Sequence, residues 1–181
     1  MSFVLRSFIN CLPSQAALKH EKSSSLCLHC NNHKTLHHIL NFCSVFLNQG
    51  RYTWRHNSVL NHLVLALGSA YSASDTPQIF ADLPGHLSSS DSTIPSHVLP
   101  TSIRPDLVLL FPPNRKIYIL ELTVPFETNI SSARLRKSNH YASLLTDLRL
   151  SAYQAKFFSL EVGSRGFLSP SNFETLLSLT L

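Results

Sequence analysis

The stretch Arg104 to Val124, "RPDLVLLFPPNRKIYILELTV", constrains the fold more than any other part of the sequence. Two apolar runs flank "FPPN", and the prolines can neither continue a helix nor donate to a sheet ladder, so the runs read as the arms of a β-hairpin. A symmetric turn about Pro113 and Asn114 pairs Val108 and Leu110 with Ile119 and Ile117, and Leu107 and Leu109 with Leu120 and Tyr118. Both faces are then apolar. Strands buried on both faces need helices over them, which predicts an α/β layer structure.

The same register sets Asp106 opposite Glu121. Side chains directly opposed on antiparallel strands have Cβ atoms about 4.5–5.5 Å apart, and two like charges at that distance destabilise the sheet. A cation between them relieves the repulsion. Carboxylates hold Mg²⁺, which prefers hard oxygen ligands, and a metal held there polarises a phosphate and acidifies a water. The bland alternative is an Arg104–Asp106 or Lys116–Glu121 ion pair on an exposed hairpin.

Downstream, Ile130–Leu150 has a helical stripe of Ile130, Ala133, Lys137, Tyr141, Leu144 and Leu148, in which one of the core-facing positions is a lysine. A further strand is expected at "AKFFSLEVG". A final helix is expected at "SPSNFETLLSLTL", starting from Ser169 before Pro170 or from Ser171 with Glu174. Upstream, "SVFLNQGRYTWRHNSVLNHLVLAL" offers one helical turn, a break at Gly50 and a helix with Leu60, Leu63, Val64 and Leu67 on one face. Residues 68–102 are rich in proline and serine and read as connecting loop, although "QIFADLPG" is apolar enough to pack locally.

Charge and cysteine divide the chain. Residues 1–74 hold six basic residues (Arg6, Lys19, Lys22, Lys34, Arg51, Arg55) against Glu21, and residues 75–181 hold nine of each sign, so the whole excess of +5 lies in the first part. All four cysteines and seven of the ten histidines lie there too, which suggests a basic, metal-binding front that touches a polyanion.

"CLHCNNHKTLHHILNFC" spells Cys-x2-Cys-x7-His-x4-Cys with Cys27, Cys30, His38 and Cys43. A Cys-x2-Cys turn points two thiolates at one ion, and a His and a Cys five positions apart can complete a tetrahedron, the geometry of structural Zn²⁺. His33 and His37 compete as the third ligand, and disulfides or plain buried thiols are the alternatives. No run of apolar residues is long enough to span a membrane. The N-terminal "MSFVLRSFINCLPSQA" reads as a short amphipathic helix with Phe3, Leu5, Phe8 and Ile9 inward, not as a signal peptide, so an intracellular protein is expected.

These residues resemble the C-terminal part of site-specific non-LTR (LINE-type) retrotransposon proteins that carry a restriction-enzyme-like endonuclease. The likeness rests on three motifs in order: the Cys-Cys-His-Cys cluster, "RHN" (Arg55, His56, Asn57), and a basic residue with "PD" (Arg104, Pro105, Asp106) followed by Glu121. It implies a PD-(D/E)xK core, a mixed sheet flanked by helices and preceded by a helical zinc module, that nicks target DNA in the nucleus so that the cut end primes reverse transcription. Asp106 and Glu121 become Mg²⁺ ligands and catalytic residues, Arg55, His56 and Asn57 become a DNA-binding or domain-packing element, and Arg104 and Arg134 are expected to bind DNA. Element RNA is a further expected partner. Thr123 stands where the restriction-enzyme pattern has its lysine, and Lys137 is the expected catalytic substitute. No polymerase motif is present, so the sequence reads as a fragment of a longer protein. The expected organisation is an N-terminal helical linker over 1–26, a zinc module with the RHN helix over 27–67, a connecting segment over 68–102, and the endonuclease-like core over 103–181.

Overall fold

The computed structural model describes residues 26–71, 76–88 and 92–180. The helix expected over the first twenty residues lies outside them.

The hairpin forms in the expected register. β2 (Leu107–Phe111) and β3 (Lys116–Thr123) are antiparallel, with Leu107 opposite Leu120 and Leu110 opposite Ile117. Pro112–Asn114 make one 3-10 turn, and Arg115 closes it at φ 47. That left-handed conformation is costly for a residue with a Cβ. Arg115 is fixed there by its own side chain, which donates to the carbonyls of Ser151 and Ala152 and lies over the Tyr153 ring.

The chain then crosses over through the helix α3 (Ile130–Leu150), whose bounds match the apolar stripe, and returns as β4 (Gln154–Glu161), parallel to β3. A parallel neighbour requires such a crossover. One element departs from the sequence reading. Gln78–Ala81, inside the expected loop, is strand β1, antiparallel to β2, so the four-stranded sheet runs β1-β2-β3-β4 and is mixed.

Both faces of the sheet are covered. On one, Leu60, Val64 and Leu67 of α2 (Arg51–Ala70) pack with Leu107, Leu109 and Leu120, joined by Leu179 of α4 (Pro170–Thr180). On the other, Tyr141, Leu144 and Leu148 of α3 pack with Val108, Leu110, Ile117 and Ile119, beside Ile94 and Val98. Each fully buried Leu or Ile contributes roughly 1.5–3 kcal/mol of transfer free energy, so the hairpin is the centre of the core. α2 is therefore part of the α/β layer and not only the end of a separate front module.

The cysteine-rich segment precedes α2. It consists of a turn at Cys27–Cys30, a π-helical turn at His38–Phe42 and the short helix α1 (Ser44–Asn48). Gly50, at φ 70, makes the break between α1 and α2. Among the described residues no helix is long and apolar enough to cross a membrane.

Candidate functional site

The sequence brings together two sets of side chains, one of thiols and imidazole and one of carboxylates, and α2 connects them.

The first set forms where Asn31, left-handed at φ 58, turns the chain so that Cys27 N–H donates to the Asn32 carbonyl. Asparagine tolerates that conformation better than most residues. Thr35 Oγ1 accepts from the His38 N–H and starts the π-helical turn that aims His38 back at the thiols. Cys27, Cys30, His38 and Cys43 then place one ligand atom each within 4.8 Å of one another, the one such group among the described residues. The Sγ atoms of Cys43 and Cys30 are 3.8 Å apart, those of Cys27 and Cys43 4.0 Å, and Cys30 Sγ lies 3.1 Å from His38 Nε2.

These spacings exclude a disulfide among Cys27, Cys30 and Cys43. A disulfide needs about 2.0 Å between sulfurs. A tetrahedron with metal–sulfur bonds of 2.3 Å has an edge of about 3.8 Å. The four residues are close enough to bind a metal, consistent with zinc. His37 is not among them, because its ring is packed between Phe42 and Phe126, and His33 is exposed. The His29 N–H directed at Cys27 holds its thiol down at about 6 despite burial, whereas burial pushes the Cys43 thiol up. A cation draws such thiols to the thiolate form.

Tyr52, on the first turn of α2, fastens this set to the rest. Its hydroxyl accepts from the Cys43 N–H at 2.9 Å and donates to the Ile39 carbonyl at 3.0 Å. One turn further along α2 stands His56, which reaches the second set.

Asp106 immediately precedes β2 and faces Glu121 of β3 by continuation of the ladder. The Asp106 N–H donates to Glu121 Oε2 at 3.3 Å, and the Leu122 N–H donates to Asp106 Oδ2 at 2.8 Å. Neither ion pair of the bland alternative forms: Arg104 pairs with Asp82, and Lys116 sits opposite Phe111 at the far end of the hairpin. The positive charges come from elsewhere. Lys137 reaches in from α3 to Glu121 Oε1, and His56 Nε2 is 3.2 Å from Asp106 Oδ2. Tyr141 donates to Glu121 Oε2 at 2.6 Å.

Burial works against charging the His56 imidazole, but the Asp106 carboxylate outweighs it and the pKa rises to about 9, so the pair is ionic at neutral pH. Burial, together with Glu121, pushes the Tyr141 phenol far above its ordinary value. Asp106, Glu121, His56 and Lys137 line an open cavity of about 310 Å³ with Tyr52, Arg55 and Thr123. Thr123 Oγ1 is buried and unpartnered among the described residues.

The expected DNA-contacting residues fall in three places. Arg55 lines the cavity and donates to the Val124 carbonyl at 3.4 Å, while His56 and Asn57 hydrogen-bond each other at 3.1 Å behind Asp106. Arg104 is bound to Asp82. Arg134 is bound to the fully buried Glu161 and to Ser171. Sequence reasoning missed Tyr52 and Tyr141 as polar partners, and Glu161 altogether. For Tyr141 a signal existed, since a tyrosine one turn after Lys137 on the same stripe must bring its hydroxyl to something polar.

Neither a protein-family model nor a curated protein sequence matches the chain.

Proposed function

We propose that the chain is a PD-(D/E)xK-type DNA endonuclease domain derived from a non-LTR retrotransposon, with a structural zinc centre at Cys27, Cys30, His38 and Cys43. The observation that carries this reading is the convergence of Asp106 and Glu121 with Lys137 at a solvent-open cavity. The donors suit a hard divalent ion. Asp106 Oδ1 carries no hydrogen bond among the described residues, and Mg²⁺ characteristically takes one or two carboxylates and completes its shell with water and substrate phosphate. When bound between these carboxylates, Mg²⁺ supplies Lewis acidity towards a phosphate oxygen and a more acidic attacking water.

The chain's own residues do the rest. The Leu122 N–H fixes Asp106, and Tyr141 fixes Glu121, so both carboxylates are held before substrate arrives. Lys137, coming from a helix in place of the lysine missing at Thr123, offers a cation at the cavity where negative charge develops on the phosphate. Arg55 is the nearest guanidinium for the DNA backbone.

A second reading has its own support. Lys137 and His56 already neutralise the two acids without a metal, as expected of a nucleic-acid-binding fragment that does not cleave. One experiment separates the two: purified protein and its Asp106→Asn variant are incubated with supercoiled plasmid, with and without Mg²⁺. Metal-dependent nicking lost in the variant supports the endonuclease, whereas salt-sensitive binding with equal, metal-independent background cutting supports the binding fragment.

A further inference from the structure

Beside the acidic cavity lies a second one that the nuclease reading leaves unused. It has a volume of about 500 Å³, within the roughly 300–1,000 Å³ of small-ligand pockets, and is bounded by the π-helical turn, α1 and the first turn of α2. Its walls are apolar and aromatic with two arginines. Arg51 lies over the Phe46 ring at 4.1 Å, and Arg55 lies over Tyr52 at 5.4 Å. Trp54 stands at the edge, 73% exposed, with no ring or cation stacked on it among the described residues.

We propose that this groove seats one unpaired base of a single-stranded nucleic acid, stacked on Trp54, with the adjoining phosphate on Arg55. The inference rests on the proposed reading only in taking nucleic acid as the ligand class.

Three observations select this occupant. Every lining residue falls within 26–71, which contains Lys34, Arg51 and Arg55 and no Asp or Glu, so the lining of the groove favours an anion and disfavours a basic partner. Arg55 forms no ion pair among the described residues, and its one hydrogen bond there runs from Nη2 to the Val124 carbonyl at 3.4 Å, so its charge is matched by no carboxylate contact and suits a phosphate. Tyr52 and Arg55 line both cavities, so the groove adjoins the carboxylates and lies within reach of one strand. A duplex hides the faces of its bases. Only an unpaired base can lie against an indole, and such stacking is tolerant of sequence.

The chain contains one tryptophan, so its emission reports this position alone. The full chain, in buffer without Mg²⁺, is titrated with a short oligothymidylate while Trp54 fluorescence is followed, and binding of the same fluorescein-labelled strand is measured by anisotropy. The expected result is saturable quenching that weakens with salt. Trp54→Ala should lower the affinity about tenfold or more, and Trp54→Phe should recover most of it. Because Trp54 is exposed, both variants should keep the wild-type circular dichroism. Binding with unchanged Trp54 emission, affinity unchanged in Trp54→Ala, or a blue-shifted emission indifferent to the oligonucleotide because another segment or a second copy covers the groove would each overturn the proposal. Failure of Mg²⁺-dependent plasmid nicking leaves these readouts unaffected, so the two readings fail separately.

Discussion

His56 Nε2 lies 3.2 Å from Asp106 Oδ2, so a helix that begins at the cysteine-rich front closes on the first acid of the hairpin. The route is continuous: Cys43 N–H to Tyr52, one turn of α2 to His56, and His56 to Asp106. The two sets of chemistry-bearing side chains are therefore mechanically one unit. What loosens the front should loosen the carboxylates.

The His56–Asp106 pair makes stability depend on pH in a definite direction. The folded imidazole titrates at about 9, above its ordinary 6.5. A group with a raised folded pKa contributes fully below the unfolded value and loses its contribution as pH rises through the folded one. Stability should therefore fall between pH 6.5 and about 9, by up to about 3 kcal/mol from this pair. Urea midpoints across that window should fall for the wild type and stay nearly level for His56→Gln, after correction for the remaining histidines. A wild-type profile parallel to that of the variant would show that the pair contributes nothing.

Glu121 is almost fully buried, and Lys137, Tyr141 and the Asp106 N–H satisfy it. Tyr141→Phe removes a hydrogen bond to a charged acceptor and should cost about 1.5–3 kcal/mol. Lys137→Met leaves the carboxylate without its cation and should cost a comparable amount, together with the plasmid nicking. Glu121→Gln combined with Lys137→Met should be less destabilised than the sum of the single variants, because neither member is then left as an uncompensated charge. Full additivity in urea unfolding would mean that Lys137 is held by something other than Glu121. If Lys137→Met nicks at the wild-type rate, the positive charge comes from another residue; Arg134 is held by Glu161 and Lys156 lies over Tyr118, which leaves Arg55, a lining residue of the same cavity, next to be tested.

The Cys27, Cys30, His38, Cys43 group should bind one equivalent of metal. Co²⁺ substituted there should give the intense visible bands of a tetrahedral thiolate site, and Cys27→Ser should weaken them. Structural sites of this kind contribute roughly 10–16 kcal/mol in zinc-finger peptides, so chelation should unfold the segment from Cys27 to α1. Because Tyr52 ties Cys43 to α2, chelation should also raise hydrogen exchange at the Leu122 N–H, which depends on Asp106. Loss of metal with no change at Leu122 would uncouple the two sites.

How much of this was readable from residue order depends on the distance over which each contact acts. The β2–β3 register followed from the turn, because a symmetric loop about Pro113 and Asn114 fixes which residues of the two apolar runs face each other. The bounds of α3 followed from its 3.6-residue stripe. β1 was not legible. It is four residues at a sheet edge with only Ala81 buried, so it carries neither alternation nor a long apolar run. The partners of the charges were also hidden: Arg104 finds Asp82 and not Asp106, Arg134 finds Glu161, and His56 crosses to Asp106. No periodicity encodes a pairing between elements that meet only after the sheet is assembled. The cysteine spacing was legible because its chemistry is local, and packing of His37 between Phe42 and Phe126 removed the ambiguity that spacing left.

Glu161 is the sharpest test of the C-terminal part of the fold. It ends β4 beside Thr123, is fully buried, and receives Arg134 at 2.6 Å as well as the Ser159 hydroxyl, while its carbonyl accepts from Asn172 of α4. A buried carboxylate in a strand is costly unless paired, and here the pair joins α3, β4 and α4 at one point. Arg134→Ala leaves that carboxylate uncompensated and should cost about 3–5 kcal/mol. Glu161→Gln keeps the shape and the hydroxyl contact while removing the buried charge, so it should cost less. The order is diagnostic. If Arg134 serves mainly to contact DNA from the surface, its removal should weaken DNA binding and leave the melting temperature nearly unchanged. If it neutralises Glu161, its removal should lower the melting temperature further than Glu161→Gln does, and the double variant should recover part of that loss.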